Sequence, residues 1–432
     1  MARRAAMAKT ATKVADVPAP AGGRQAPDPR RRREDFAWFW RAWTVSTIGD
    51  QVTLVALPFA VYTRTHSALA VGIAASMQGA TTLLFGLYAG ALADRLRHRA
   101  VLVATDGSRA LVLALLAVLV ATTPDYPVAA LYAGAFLLGA LGTLHDASHS
   151  AALPLVVRGR DLLRANGKLS ASESVGNAGG PALAGVLTAL GVGLAFATDG
   201  LSFLLSALGA ARVEVLKQPE QIVHADRKSI GEDIREGLRA LRSDRVVMHA
   251  LVLVTAGNVM AVAVEAQFIP YARQVLHVGA RGIGLYFAIG GAAGVVTALA
   301  LGRSDTTRGT AMIAGAAIFG LGVLAAGIFP STTTVVFTYL AAGAGSVLQI
   351  THWSSLRQRR FPVRLLGRVT VATRIALFGI MPVAYIAGGV LAKADSPQAL
   401  FVVAGCVGLV ACLWAWAVGL AKVRLDDVIA DS

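Results

Sequence analysis

Six acidic residues lie inside long apolar stretches of this sequence, where a charged side chain needs a structural or chemical reason. They are Asp50, Asp106, Asp146, Glu173, Asp199 and Glu265. A charge in a hydrocarbon environment is costly, so it usually faces a cavity, a ligand or a partner of opposite charge. Loss of water around a carboxylate also favours its neutral form, which allows reversible proton binding. These residues are therefore candidates for ion pairing, ligand recognition and proton transfer.

Asp50 and Glu265 are the two acids that we assign to binding. Asp50 lies near the middle of the first apolar stretch, and we predict that it binds a proton when it is accessible from one side of a membrane. Glu265 lies in the outer part of the seventh stretch, where it could recognise a cationic ligand. A pairing between Glu265 and Arg273 is the structural alternative.

Two further acids have basic neighbours at helical spacing. Asp106 and Arg109 are three residues apart, and Asp146 is expected at a similar depth, so this group predicts a structural ion pair or triad. His145 and His149 flank Asp146 within about one helical turn, which could also suit a membrane-embedded enzyme with a metal. No serine nucleophile elbow or third ligand accompanies these histidines. We therefore favour the interpretation that these histidines line a gate.

The composition indicates which elements must position these residues. The chain has 432 residues, of which 55% are hydrophobic and 15% charged, and its mean hydropathy is +0.61. Ordinary soluble domains carry roughly 25% charged residues, so a soluble globular protein is excluded. Twelve apolar stretches are long enough to cross a membrane as helices. We place them near residues 38–63, 68–92, 100–121, 127–150, 167–190, 193–211, 247–272, 281–302, 309–329, 332–356, 368–392 and 397–421.

The cysteines and tryptophans add two smaller predictions. Cys406 and Cys412 share one apolar stretch, so neither a disulfide framework nor a cysteine metal site is expected. We predict no cofactor and no metal. Trp38, Trp40 and Trp43 are assigned to an interfacial aromatic belt.

The basic residues predict the orientation of the chain. Most of the 40 Lys and Arg residues lie in the termini and in alternate loops, whereas the opposite loops hold Arg64, Arg273, Arg281 and Lys393. By the positive-inside rule, both termini are cytoplasmic. The net charge of +15 is spread over these loops and does not form one basic face, so no nucleic-acid partner is predicted.

The distribution of apolar and charged residues predicts five parts of the chain. We predict a disordered basic cytoplasmic tail over 1–36, a six-helix bundle over 37–211 and a cytoplasmic linker with an amphipathic helix over 212–245. A second six-helix bundle over 246–424 and a short tail over 425–432 follow. Pro58 and Pro270 are 212 residues apart, and Pro181 and Pro382 are 201 apart. This matching order predicts two pseudo-symmetric bundles with a binding site between them.

The loop after the second stretch carries a recognisable motif. Residues 90–99 read GALADRLRHR, which resembles the signature loop of the major facilitator superfamily, G-x-L-A-D-R-x-G-R-[RK]. Arg97 replaces the usual glycine and His98 the usual base. The resemblance implies a latch on the cytoplasmic gate, in which the acid meets the eleventh helix and the bases meet an acid on the fourth. The alternative is that these charges only fix the topology.

The resemblance assigns residues to this gate. Gly90, Asp94, Arg95 and Arg99 match the motif directly. A carboxylate such as Asp94 beside a helix N-terminus gains a favourable dipole interaction that is lost when the bundles separate. We group Arg109 and Asp146 with the same gate because they are expected near its cytoplasmic side.

The fifth stretch carries a second motif. Its spacing G-x8-G-x3-G-P-x2-A-G resembles the antiporter motif of the same superfamily, which has glycine where Ala184 stands. The matching residues are Gly167, Gly176, Gly180, Pro181 and Gly185. Small residues at this spacing allow a neighbouring helix to approach closely, and the proline bends the chain. The resemblance implies export, although close helix packing alone would explain the pattern.

The resemblance implies an all-α integral membrane protein with twelve transmembrane helices in two six-helix bundles. Gly49, Asp50 and the segment His145–Asp146 are similar to the macrolide-efflux and enterobactin-export branch. We therefore expect a proton-coupled exporter of amphiphilic small molecules such as drugs, macrolides or siderophores, and not an enzyme. The expected partners are substrate, protons and membrane lipid, for a monomer in a bacterial plasma membrane. An inward lipid or nutrient carrier, a non-transporting sensor and a membrane-embedded enzyme are the alternatives.

Overall fold

The computed structural model describes residues 29–93, 96–157, 161–217, 230–301 and 309–423, and within these ranges the chain is helical with no strand. The helices are α1 (Pro29–Thr65), α2 (Ala68–Ala93), α3 (His98–Thr122), α4 (Val128–Val156), α5 (Leu162–Leu190), α6 (Val192–Ala211), α7 (Ile230–Ser243), α8 (Arg245–Gln274), α9 (Ala280–Leu301), α10 (Gly309–Ile328), α11 (Thr332–Arg360), α12 (Val363–Gly379), α13 (Met381–Ala394) and α14 (Pro397–Ala417).

Eleven spans of the described chain are long and apolar enough to cross a membrane, with Leu365–Ala394 of α12 and α13 as one span. Pro382 near the start of α13 lacks a backbone N–H, which explains the break between these two helices. The twelfth predicted span is α5, which has 29 residues but a more polar sequence. Ser174 and Asn177 of α5 line a cavity, and a helix that faces a cavity keeps polar side chains.

The helix packing repeats between the two halves. In the first half, α3 packs on α6, α2 on α4, and α1 on α5 and α6. In the second half, α10 packs on α14, α9 on α11, and α8 on α13 and α14. Between the halves, α2 packs on α13 and α5 packs on α9, and these two contacts correspond when equivalent helices of the two halves are exchanged. The prediction of two pseudo-symmetric six-helix bundles is confirmed.

The two halves approach closely on the side away from the described chain ends. There, Gln267 Nε2 of α8 donates to the carbonyl oxygen of Ala68, at the start of α2, over 3.1 Å. A Cβ on Gly389 of α13 would lie 3.0 Å from Leu69 Cα, so the two backbones nearly touch. Ala68, Ala263, Ala392 and Leu400 form a small buried cluster at this contact. The cluster closes the space between the halves on this side.

Several helices extend beyond their predicted limits. α1 begins at Pro29, inside the segment that was expected to be a disordered tail, because this part is tied to the end of the first half. Asp35 accepts hydrogen bonds from the backbone N–H groups of Glu214 and Val215, over 2.6 and 3.1 Å. α4 and α11 continue to Val156 and Arg360. Hydropathy marks only the membrane-embedded part of a helix, so it misses such polar ends.

The segment between the halves contains α7, which packs on α12. Arg368 Nη1 of α12 lies 2.7 Å from Glu236 Oε1 of α7. A Cβ on Gly237 would collide with the backbone of Arg368, so glycine allows this contact. The predictions for residues 1–28, for Asp94 and Arg95, and for the tail over 425–432 lie outside the described residues.

Candidate functional site

An ion pair joins α1 to α3 inside the first half. Arg109 Nη2 donates to Asp50 Oδ1 over 2.7 Å. The Asp50 side chain is 44% exposed, whereas that of Arg109 is 9% exposed. The guanidinium group also lies over the ring of Phe203 in α6, 3.9 Å from its centroid. Asp50 therefore neutralises an enclosed arginine, while its own side chain stays partly exposed.

Arg109 also starts a chain of charged contacts that reaches α4. Its Nη1 lies 3.8 Å from Asp106 Oδ1, and His145 Nε2 lies 3.4 Å from the same oxygen. His145 Nδ1 lies 3.6 Å from Oδ1 of Asp146, whose side chain is 67% exposed. We call Asp50, Asp106, Arg109, His145 and Asp146 the charged cluster. The predicted contact between Asp106 and Arg109 is present, whereas Asp146 meets the cluster through His145.

Asp199 of α6 is a second buried acid, and hydroxyl groups satisfy it. Thr53 of α1 donates to Asp199 Oδ2 over 2.5 Å, and Ser202 donates to Oδ1 over 3.0 Å. A Cβ on Gly49 would collide with Ser202 and Asp199, so glycine lets α6 come this close to α1. Asp199 therefore joins the two helices within one turn of Asp50.

The two histidines of α4 are used for packing and pairing. The ring of His149 stacks between Phe39 and Trp43, with both centroids 4.1 Å away. Trp43 also stacks on His145 at 6.0 Å. Trp43 is half-buried against both histidine rings, and its assignment to the interfacial belt stays a prediction. His145 also contacts Asp106 and Asp146, whereas the buried Nε2 of His149 has no hydrogen-bond partner among the described residues.

A cavity of about 480 Å³, the central cavity, lies between the two halves. Its wall is mainly apolar. In the first half, Gln51 Nε2 donates to Asn177 Oδ1 over 2.8 Å. Glu265 is the acidic residue of the wall, and it makes no hydrogen bond or ion pair within the described part of the chain. Arg273, its proposed partner, lies instead over the ring of Phe59 at 5.7 Å.

Of the four residues that match the signature loop, the structure describes Gly90 and Arg99. Gly90 lies in the last turn of α2. Arg99 Nε donates to the carbonyl oxygen of Ala211, the last residue of α6, over 3.1 Å. A cation at a helix C-terminus is favourable, so Arg99 binds the end of α6 and not an acid of α4. Arg109, which we grouped with this gate, belongs to the charged cluster.

The α5 motif has two packing faces. A Cβ on Gly176 would lie 3.4 Å from Thr47 of α1, and a Cβ on Gly180 would lie 2.5 Å from Gln51 Cβ. On the other face, a Cβ on Gly185 would lie 2.7 Å from the carbonyl oxygen of Ala280 in α9. Pro181 lines the central cavity, and Gly167 faces open space. The motif therefore packs α5 against α1 of its own half and against α9 of the other half.

Two halves with the same helix packing, which contact each other on one side and enclose a cavity, have the architecture of a membrane transporter. The sequence profile of the Major Facilitator Superfamily matches residues 42–384. The chain belongs to this family, which confirms the resemblance noted from its loop and its fifth helix.

Macrolide efflux protein A of Streptococcus pyogenes is 22% identical over 391 residues, which cover 87% of this chain and 94% of that protein. The structure of a bacterial homologue of the iron transporter ferroportin, in an inward-facing state, is 17% identical with a TM-score of 0.67, covering 91% of this chain and 99% of that one. An inward-facing, occupied bacterial homologue of the human lysosomal transporter Spinster is 11% identical with a TM-score of 0.70, covering 93% and 99%. These likenesses support the fold.

Sequence reasoning missed two features of the site. The partner of Asp50 lies 59 residues away on another helix. The available signal was that Arg109, an arginine inside a span, needs an acid near it. The second feature lies in the other half. Arg374 is also an arginine inside a predicted span, and in the structure it lies in a group of polar side chains.

Proposed function

We propose that this protein is a secondary active exporter, which moves amphiphilic small molecules out of a bacterial cell in exchange for protons. The central cavity is the observation that carries the proposal. It lies between two halves that meet on one side, and its apolar wall contains the unpaired acid Glu265. Such a cavity suits an apolar molecule with a few polar groups.

Glu265 gives the cavity its preference for charge. An acid without a basic partner in a largely apolar wall attracts a cation that can replace its lost hydration. Tyr339 and Phe287 of the same wall provide aromatic surface for an apolar or cationic group. We therefore propose amphiphilic cations as the preferred substrates.

The Asp50–Arg109 pair is the proposed coupling element. A protonated Asp50 can no longer form an ion pair, so proton binding releases Arg109 to its second acid, Asp106, 3.8 Å away. The next residue of α1, Gln51, lines the central cavity. Proton binding at Asp50 can therefore alter the cavity wall through α1 itself.

The proposed direction depends on the orientation of the chain. Positive-inside counting puts both termini in the cytoplasm, so the closed side of the cavity faces outwards and substrate binds from the cytoplasm. The α5 motif, which resembles that of antiporters, and the 22% identity to macrolide efflux protein A support export.

Accumulation of labelled compounds in inside-out vesicles tests the proposal. The panel contains a cationic macrolide, an uncharged analogue of it, a cationic dye and a siderophore, each with and without an inward-acidic pH gradient. We expect gradient-dependent accumulation of the cations by the wild type. Glu265→Gln should reduce it by about tenfold, a loss of roughly 1.4 kcal/mol. Glu232→Gln, which changes an exposed acid of α7, is the matched control and should not affect it.

Other outcomes would contradict the proposal. Gradient-driven uptake into right-side-out vesicles would indicate an inward carrier. If Glu265→Gln reduced the accumulation of the macrolide and of its uncharged analogue equally, Glu265 would not recognise the charge of the substrate. If no compound accumulates under a verified gradient, the exporter proposal is wrong.

A further inference from the structure

A second cavity of about 360 Å³ lies within the second half, between α8, α10, α11 and α12. Its wall includes Arg357 of α11 and Arg374 of α12, and the described lining residues include no acid. We call this cavity the arginine cleft. Arg357 lies three residues before the end of α11, so the cleft is nearer to the side that carries the chain ends.

Several donors in the arginine cleft lack an acceptor. Arg357 Nε, Gln349 Nε2 and Thr373 Oγ1 are buried and have no hydrogen-bond partner among the described residues. Buried polar groups are normally satisfied, so a group of three such donors on one cavity wall needs an explanation. Their common requirement is an acceptor within the cleft.

The positive charge of the arginine cleft also calls for an acceptor, in this case one with a negative charge. Arg357 and Arg374 place two positive charges on the wall of one cavity. Neither arginine has an ion-pair partner within the described ranges. Arg357 rests against the ring of Trp353, 6.0 Å from its centroid, which holds the guanidinium group beside the cleft. Two neighbouring cations in a partly desolvated site are unfavourable unless an anion lies between them.

We propose that the arginine cleft binds an oxyanion in the form of a phosphate group. Guanidinium groups bind the oxygens of such groups in pairs, and the amide and hydroxyl donors of the cleft can bind the remaining oxygens. This site is distinct from Glu265 and does not depend on proton coupling. It adds anion binding to the function proposed above.

The arginine cleft adjoins the central cavity. Ala261, Phe319 and Ser346 line both of them. The oxyanion can therefore be a free ion or the headgroup of an amphiphile whose apolar part occupies the central cavity. Both sources present the same chemistry to the arginines.

Calorimetric titration of the purified full-length protein, in an uncharged detergent, tests the proposal. The probes are inorganic phosphate, dihexanoyl phosphatidic acid and dihexanoyl glycerol, which lacks the phosphate. The variants are Arg374→Gln, whose side chain is exposed in the wild type, and Arg357→Gln combined with Arg374→Gln. Arg164→Gln removes an exposed arginine of α5 and is the matched control. Thermal unfolding of each variant verifies that it is folded.

We expect a phosphate-bearing probe to bind the wild type and Arg164→Gln alike. Arg374→Gln should weaken binding by about tenfold, and the double variant should abolish it. Similar binding of both phosphate probes would identify a free anion, and preference for the phosphatidic acid would identify a headgroup. The proposal is overturned if neither phosphate probe binds the wild type, or if Arg374→Gln binds as tightly as the wild type.

Discussion

Asp50 and Arg109 hold opposite charges 2.7 Å apart, yet the acid is 44% exposed and the arginine only 9%. Because of this difference in exposure, we assign proton binding to Asp50 and a constant positive charge to Arg109. Arg109 has a second acid, Asp106, at 3.8 Å, so it keeps a partner when Asp50 is neutral. Asp106, which is fully buried, depends on Arg109 and His145 for its charge balance. The exposed acid can therefore change its protonation without leaving a buried charge alone.

Substitution of the two partners should have unequal effects on stability. Arg109→Gln leaves Asp50 and buried Asp106 without their arginine, and we expect a loss of about 3 kcal/mol. Asp50→Asn should cost roughly 1 kcal/mol or less, because the exposed side of that pair is screened by solvent. Thermal unfolding in detergent measures both, with Arg164→Gln as the control. An equal or reversed order would contradict this account of the charged cluster.

Thr53 supplies the shortest hydrogen bond to buried Asp199. Thr53→Val keeps the shape of the side chain but removes its donor, so we expect a loss of about 1 to 3 kcal/mol. Thr198→Val is the matched control, because Thr198 is half-buried and donates a hydrogen bond only to the backbone of its own helix. Equal unfolding temperatures for the two variants would show that Asp199 does not depend on this bond.

Among the helices, α5 contacts both halves of the molecule. Its glycines pack on α1 through one face and on α9 through the other. The contact with α9 joins the two halves, and small residues on both helices make it close. Transport by alternating access requires this contact to rearrange while the contact with α1 is kept.

A large side chain at Gly185 should therefore favour separation of the halves on the closed side. Ala68, buried between them, is the reporter position. In a background with Cys406→Ser and Cys412→Ser, we expect Gly185→Leu to raise the maleimide reactivity of Ala68→Cys by about tenfold, a population shift of roughly 1.4 kcal/mol. Gly179→Leu, on the same helix but facing open space, should leave the reactivity unchanged. Equal reactivity in both variants would contradict this role of α5.

At the scale of the molecule, the helix packing repeats in the two halves, which contact each other on one side. Both described chain ends lie on the other side. The assignment of that side to the cytoplasm stays a prediction from the distribution of basic residues.

Cysteine labelling of intact cells tests the orientation. Asp125, in the loop between α3 and α4, has an 89% exposed side chain. Arg164 is exposed near the N-terminus of α5, on the opposite side of the molecule. A membrane-impermeant maleimide should label Asp125→Cys in spheroplasts and Arg164→Cys only after permeabilisation. The reverse pattern would invert the proposed direction of transport.

The twelve spans and the two halves could be predicted from the sequence, because apolar length and the order of prolines are properties of the chain itself. The start of α1 at Pro29 could not, since it depends on the distant contact of Asp35 with Val215. The same reason applies to the site. Glu265 was recognised because an acid in an apolar stretch is conspicuous, whereas the partner of Asp50 depends on how α1 and α3 are rotated against each other.

Proton movement driven by substrate is the most direct test of the central claim. Proteoliposomes loaded with a cationic amphiphile and a pH-sensitive dye are diluted into substrate-free buffer, so that outward substrate flow must exchange for protons. The account predicts rapid acidification of the lumen with the wild type, and none with Asp50→Asn, although that variant still binds the substrate. Substrate release without acidification, or acidification by Asp50→Asn at the wild-type rate, would contradict it.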